Sequence, residues 1–301
     1  MRRNQLGQSD LYVSEIGLGC MSLGTDERKA LSIVDEALAG GINFLDTADL
    51  YDNGHNEELV GKAIRHRRAE VIVATKVGNR RIPGQEGWVW DPSKAYIRAA
   101  VKESLRRLGT DYIDLYQLHG GTLDDPMDDT IEAFEELKRE GLIRSYGISS
   151  IRPNVIREYV RRSTIVSVMN PYSLLDRRAE EEVLPLLAEH HIGVIARGPL
   201  AGGVLSAQGE HKAARDDLDY AKEELPALRR QLLELAGPNR SLEQLAIRYA
   251  LSEPCVRVVI PGASSLEQLR SNLTAADVSL SADEVKTLRA ITKQNLYTAH
   301  R

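Results

Sequence analysis

Apolar runs of strand length recur along the chain: IGLGC from Ile16, INFLD from Ile42, VIVATK from Val71, YIDLYQLH from Tyr112, IRSYGIS from Ile143, IVSVMN from Ile165, IGVIAR from Ile192 and VRVVIPG from Val256. The longer stretches between them, AYIRAAVKESLRRLG and TIEAFEELKREG for example, place apolar residues three and four apart, the period of an amphipathic helix. Gly40-Gly41, Gly109 and Gly141 stand where such helices should end. Strand-length runs that alternate with helices predict parallel strands joined by crossover helices.

Eight such units in about 250 residues predict an α/β fold of the (β/α)8 TIM-barrel type. A doubly wound sheet would carry a G-x-G-x-x-G turn after its first strand, and IGLGCMSLG lacks that spacing. The opening RRNQLGQSDLYVSEI predicts a short N-terminal β-hairpin that plugs the bottom of the barrel. After the seventh run, the charged segment AQGEHKAARDDLDYAKEELPALRRQLLELAGPNR exceeds a simple connection and predicts a lid with an extra helix. A last helix, capped by Ser281, closes the chain and leads into a polar tail. Residues 1–301 read as a single barrel domain.

Composition narrows the function. The chain is 42 % hydrophobic and 28 % charged with a net charge of −5, and it has no basic stripe, which argues against a nucleic-acid partner. No apolar run reaches the roughly 20 residues of a membrane helix, and MRRNQLGQSD leads into no signal-peptide core, so a cytoplasmic location without membrane association is expected. Cys20 and Cys255, with seven histidines, form no metal-spaced cluster, so neither a disulfide nor a metal site is expected. Nothing in the pattern indicates an oligomeric state.

In a barrel of this kind the active site lies at the C-terminal ends of the strands. Asp46 closes the second run, Tyr51 follows five residues later, Lys76 closes the third and His119 the fourth. Taken singly, each has an ordinary explanation as an ion-pair partner or packing residue, and convergence on one mouth is what gives them chemistry. An ammonium near a phenol should lower its pKa, a carboxylate should hold that ammonium in place, and an imidazole can donate a hydrogen bond to a carbonyl oxygen. Such a group suits carbonyl reduction without a metal.

With these residues in place, the chain resembles the aldo-keto reductases. The segments NFLDTADLY, NEELVGKAI, TK, LH, YGIS, PYSLLDR, PLAGGVL and IPGASSLEQLRSN occur in that family's order and span nearly the whole chain. The resemblance implies a (β/α)8 barrel that reduces aldehydes or ketones of small molecules with a nicotinamide cofactor. Asp46, Tyr51, Lys76 and His119 would be its catalytic tetrad, with Tyr51 as general acid. The segment GASSLEQLRSN leads to the expectation of NADP(H) as the preferred cofactor, with NAD(H) also permitted. Ser149, Ser150 and Met169 would lie near the carboxamide, Arg197, Gly198, Pro199 and Leu200 along the seventh strand's loop, and Ser264, Gln268 and Asn272 near the adenosine phosphate.

Met169 stands where the family commonly has a glutamine, Arg197 where an aromatic ring often stacks, and Gln208 where some relatives have a lysine. Ser264, Gln268 and Asn272 are expected on one helix face, with Arg270, or Lys212 and Arg215 from the lid, supplying positive charge. Trp88 and Trp90 are expected as pocket walls. The alternative is a cofactor-binding, redox-sensing barrel with slow turnover.

Overall fold

The computed structural model describes residues 1–82, 84–213 and 216–301. Arg215, expected above as a lid cation, therefore lies outside the described residues. The chain opens with β1 (Arg3–Gln5) and β2 (Tyr12–Ser14), an antiparallel hairpin. The eight expected barrel strands follow as β3 (Leu18–Gly19), β4 (Phe44–Asp46), β5 (Ile72–Val77), β8 (Ile113–Leu118), β9 (Ile143–Ser149), β10 (Ser167–Pro171), β11 (Gly193–Arg197) and β12 (Val256–Ile260). Between β5 and β8 lies a second small hairpin, β6 (Asn79–Arg80) with β7 (Val89–Trp90), which the apolar pattern does not reveal because its strands have two residues each.

The barrel strands pair in the order β12-β11-β10-β9-β8-β5-β4-β3, all in parallel, and bridges from Ile16 to Val259 and from Gly19 to Gly262 bring the two edges together. The helices α1 (Glu27–Ala39), α2 (His55–Ile64), α3 (Lys94–Leu108), α4 (Met127–Arg139), α5 (Pro153–Arg162), α6 (Val183–Glu189), α7 (Leu225–Ala236) and α8 (Leu242–Ala250) occupy the intervals, and α9 (Leu266–Leu273) and α10 (Ala282–Ile291) follow the last strand. Ser281 caps α10 as expected, in a capping box with Glu284; Ser241 and Gln244 form another at α8.

Two apolar layers follow from the strand alternation. One lies between strands and helices. The other fills the barrel interior, where Phe44, Ala74, Leu115, Met169, Ile195 and Val258 meet Leu6, Leu11 and Val13 of the N-terminal hairpin. The hairpin thus closes the bottom, as its sequence suggests. Its turn needs Gly7: φ is +58°, and a Cβ there would lie 2.1 Å from the Val166 carbonyl oxygen. Cys20 and Cys255 are both buried and free.

The segment after β11 contains a 3-10 turn at Glu210–Ala213 and then α7. Arg229 on α7 donates to the carbonyls of Val204, Ser206 and Ala207, tying the helix to the start of the segment. The C-terminal tail returns over the same region. Lys293 reaches the Asp219 carbonyl and Glu224, Asn295 donates to Asp219, and the buried Tyr297 hydroxyl donates to Asn170 beside the barrel mouth. No helix among the described residues is long and apolar enough to cross a membrane.

Candidate active site

Asp46, Tyr51, Lys76 and His119 meet at the C-terminal mouth. Lys76 is fully buried, because β5 projects it into the barrel; its Nζ lies 2.8 Å from Asp46 Oδ2, 2.7 Å from the Thr47 carbonyl and 3.3 Å from the Tyr51 hydroxyl. The Tyr51 ring stands edge-on to that of His119, with centroids 6.2 Å apart. The local backbone makes this possible. Tyr51 begins a 3-10 turn in which Asp52 and Asn53 take φ values of +48° and +57°, conformations that Asp and Asn tolerate better than most side chains.

The electrostatics correct one expectation. Burial raises the Tyr51 pKa above the ordinary tyrosine value, and Lys76 offsets that only in part. The expected lowering by the ammonium does not prevail because the phenol is desolvated with it. Burial also acts against the Lys76 ammonium, but Asp46 and Tyr51 outweigh it and leave its pKa raised. The His119 imidazole is held down to about 3, by burial first and then by Lys76 and Arg197. It is therefore neutral near pH 7, and its buried Nδ1 has no hydrogen-bond partner among the described residues.

Several neighbours complete the site that the motif alone does not name. Gln117 donates toward Asp46 Oδ1 at 3.5 Å, and Asn79 donates to the His119 carbonyl. Gln117 was legible in principle: two residues before His119, it shares that residue's face of the strand. Asn56 holds Thr47 and the Cys20 carbonyl, while the buried Glu57 accepts from Thr75 and Arg107. These bonds anchor the turn that carries Tyr51 to the strand ends beside it.

The mouth opens into a cavity of about 1080 Å³. That is at the upper end of the range for one drug-sized ligand, and it suits a long ligand with a second small molecule. Ser149, Ser150, Met169, Arg197, Gly198, Pro199, Leu200, Ser264, Gln268 and Asn272 all line it, together with the tetrad, Trp88, Trp90, Gln208 and Lys212. Met169 is buried in the inner core layer, so the wall offers a thioether at that position. Arg197 is exposed on the cavity at the end of β11, and burial within the mouth lowers its pKa.

The far end differs from expectation in two respects. Ser264 does not share a helix face with Gln268. It precedes the N-cap, Ser265, and Gln268 folds back so that its Oε1 accepts from both the Ser264 amide and hydroxyl. A backbone N–H must meet the oxygen of that amide, which leaves the Gln268 NH2 as the free donor. Arg270 turns away to pair with Glu36 at 2.7 Å and is absent from the cavity wall, because a position two residues from Gln268 faces another side of the helix. Lys212, by contrast, does reach the cavity.

Trp90 packs against the backbones of Gly78 and Gly120, whose absent Cβ atoms would lie 2.5 and 3.1 Å from its ring, and donates from Nε1 to Asp125. Trp88 is 52 % exposed at the rim. Sequence reasoning missed Glu243, a buried cavity residue on α8; an acidic side chain in a first helical turn carries no special signal, since it suits the helix dipole.

A closed parallel barrel whose mouth carries a buried lysine between a carboxylate and a phenol defines an oxidoreductase class, and the comparisons agree. The chain belongs to the aldo/keto reductase family, whose model matches residues 15–293. Members of that family use nicotinamide cofactors. The chain is 59 % identical to a Bacillus subtilis (strain 168) protein, the uncharacterized oxidoreductase YqkF, over the whole length of both chains. The holo form of aldo-keto reductase AKR11C1 from Bacillus halodurans superposes with a TM-score of 0.93 at 56 % identity, covering 100 % of this chain and 99 % of that one. The glycerol dehydrogenase AKR11B4 from Gluconobacter oxydans superposes with a TM-score of 0.87 at 26 % identity, covering 98 % and 97 %.

Proposed function

We propose that this chain, acting as a single barrel domain, reduces aldehydes or ketones to alcohols with a nicotinamide cofactor, and that Tyr51 is the general acid. The observation that carries the reading is the chain from the buried Asp46 and Lys76 to the half-buried Tyr51, at 2.8 and 3.3 Å, opening on a cavity of about 1080 Å³. When bound, the reduced nicotinamide supplies the hydride that the carbonyl carbon accepts. Every other part falls to the chain itself. Tyr51, kept protonated by its raised pKa, donates its proton to the carbonyl oxygen as charge develops there. Lys76, held by Asp46, stabilises the resulting phenolate. His119, being neutral, can donate one N–H toward the carbonyl oxygen without bringing a competing acidic proton.

The cavity fits a dinucleotide in chemistry as well as size. Ser149 lies at the end of β9 for the carboxamide, Gly198 has open space over its Cα for a close approach, and the Gln268 NH2, left free because its oxygen accepts from Ser264, provides a donor for a phosphate. The mouth itself is rimmed by Met21, Trp88, Trp90 and Ile151, which favours carbonyl compounds with an apolar body.

NADPH is the preferred cofactor in this reading, by a modest margin. The neutral Gln268 NH2, worth roughly 1 kcal/mol, faces the 2′-phosphate, Lys212 supplies the nearby cation, and Glu267 in the same wall opposes it. The test is oxidation of NADPH and of NADH by a panel of aldehydes, ketones and quinones at steady state. Dissociation constants for both cofactors are to be measured on the wild type and on a Ser264→Ala, Gln268→Ala double variant. Steady turnover with weakened NADPH preference in the double variant is expected. One turnover followed by a stall would favour the redox-sensing alternative, and unchanged preference would move the phosphate toward Lys212.

The pH profile checks the acid. Turnover in the reducing direction should be flat from about pH 5 to 9 and fall only as pH rises past the ordinary tyrosine value of about 10. An inflection near 6.5 would mean that His119 is not the buried neutral imidazole described. The same depressed pKa contributes stability that is present above about 6.5 and is lost as pH falls toward about 3, because the unfolded chain binds that proton first.

A further inference from the structure

Glu243 is 95 % withdrawn from solvent, and its two carboxylate oxygens have different fates. Oε1 accepts from the Ala207 amide at 2.5 Å, fastening the segment after β11 to the start of α8. Oε2 is buried, has no hydrogen-bond partner among the described residues and belongs to a side chain that lines the cavity. A buried acceptor left unpaired is costly, and a site that leaves one so is shaped for a donor that arrives with a ligand.

The donor can be identified by chemistry, given the nicotinamide dinucleotide reading on which this inference rests. Phosphates offer acceptors only and would be repelled by a carboxylate. The free phosphate donor, the Gln268 NH2, lies on α9, whereas Glu243 stands on α8. In NADPH the 2′-hydroxyl is esterified, and the 3′-hydroxyl is flanked by that phosphate. The donor remaining at that end, away from the phosphates, is the 6-amino group of the adenine. We infer that Glu243 Oε2 accepts a hydrogen bond from the adenine 6-amino group, so that one carboxylate both reads the base and holds Ala207 in place over it.

The test is a double-mutant cycle on binding, read by quenching of tryptophan fluorescence and independent of turnover. The partners are wild type and Glu243→Gln, with NADPH and with its purine analogue, in which hydrogen replaces the 6-amino group. Glutamine retains an oxygen for the Ala207 amide but turns an NH2 group toward the base. Wild type should bind NADPH about tenfold more tightly than the analogue. Glu243→Gln should lose about tenfold for NADPH and little for the analogue, so the two losses do not add. Equal losses for both ligands would give Glu243 a role through Ala207 alone and overturn the inference. So would a wild type that binds both ligands equally well, a result that stands even if the variant fails to fold. Failure of wild type to bind either dinucleotide would remove the cofactor reading itself.

Discussion

Tyr51→Phe should lower turnover by about 10²-fold or more while leaving cofactor affinity and stability near those of wild type. The hydroxyl is the group removed. The ring keeps its edge contact with His119, and Lys76 keeps both Asp46 and the Thr47 carbonyl as partners, so no buried charge loses its main compensation. Steady-state rates, cofactor titration and urea unfolding of the same preparation separate these effects. Ordinary turnover with intact binding would remove Tyr51 as the acid.

Lys76→Met should behave oppositely in one respect: both turnover and stability fall. Methionine approximates the length of the lysine stem but leaves the Asp46 carboxylate buried, with Gln117 at 3.5 Å as its remaining side-chain contact. Breaking a buried pair from one side costs about 3–5 kcal/mol, far more than the pair itself contributes relative to an apolar replacement. Adding Asp46→Leu should therefore restore most of the urea midpoint without restoring turnover. Equal stability of Lys76→Met and wild type would mean that the pair is more hydrated than its burial indicates.

The barrel was legible because its signals are redundant: eight apolar runs, helical spacing between them and a plug hairpin all lead to the same topology. The tetrad was legible because strand ends in such a barrel converge, whatever the packing in between. What escaped depended on competition between terms or on side-chain direction. The pKa of Tyr51 is decided by desolvation against one ammonium, and spacing does not reveal how dry the site is. Arg270 and Gln268 lie two residues apart, yet one turns to Glu36 and the other to Ser264. Ser264 was misplaced by one helix boundary, since Ser264 and Ser265 are both competent caps and only the backbone selects Ser265.

The two tryptophans of the mouth carry unequal freedom to diverge. Trp90 is fastened by Asp125 and presses on two glycines whose φ values, +125° and +141°, few other residues would accept, so changing it would disturb the loops after both β5 and β8. Trp88 stands half in solvent at the rim, as do Met21 and Ile151. A lineage, or a laboratory library, that retunes which molecules enter this barrel would therefore find its tolerated variation at positions 21, 88 and 151, while position 90 stays fixed as the hinge pin of the wall they decorate.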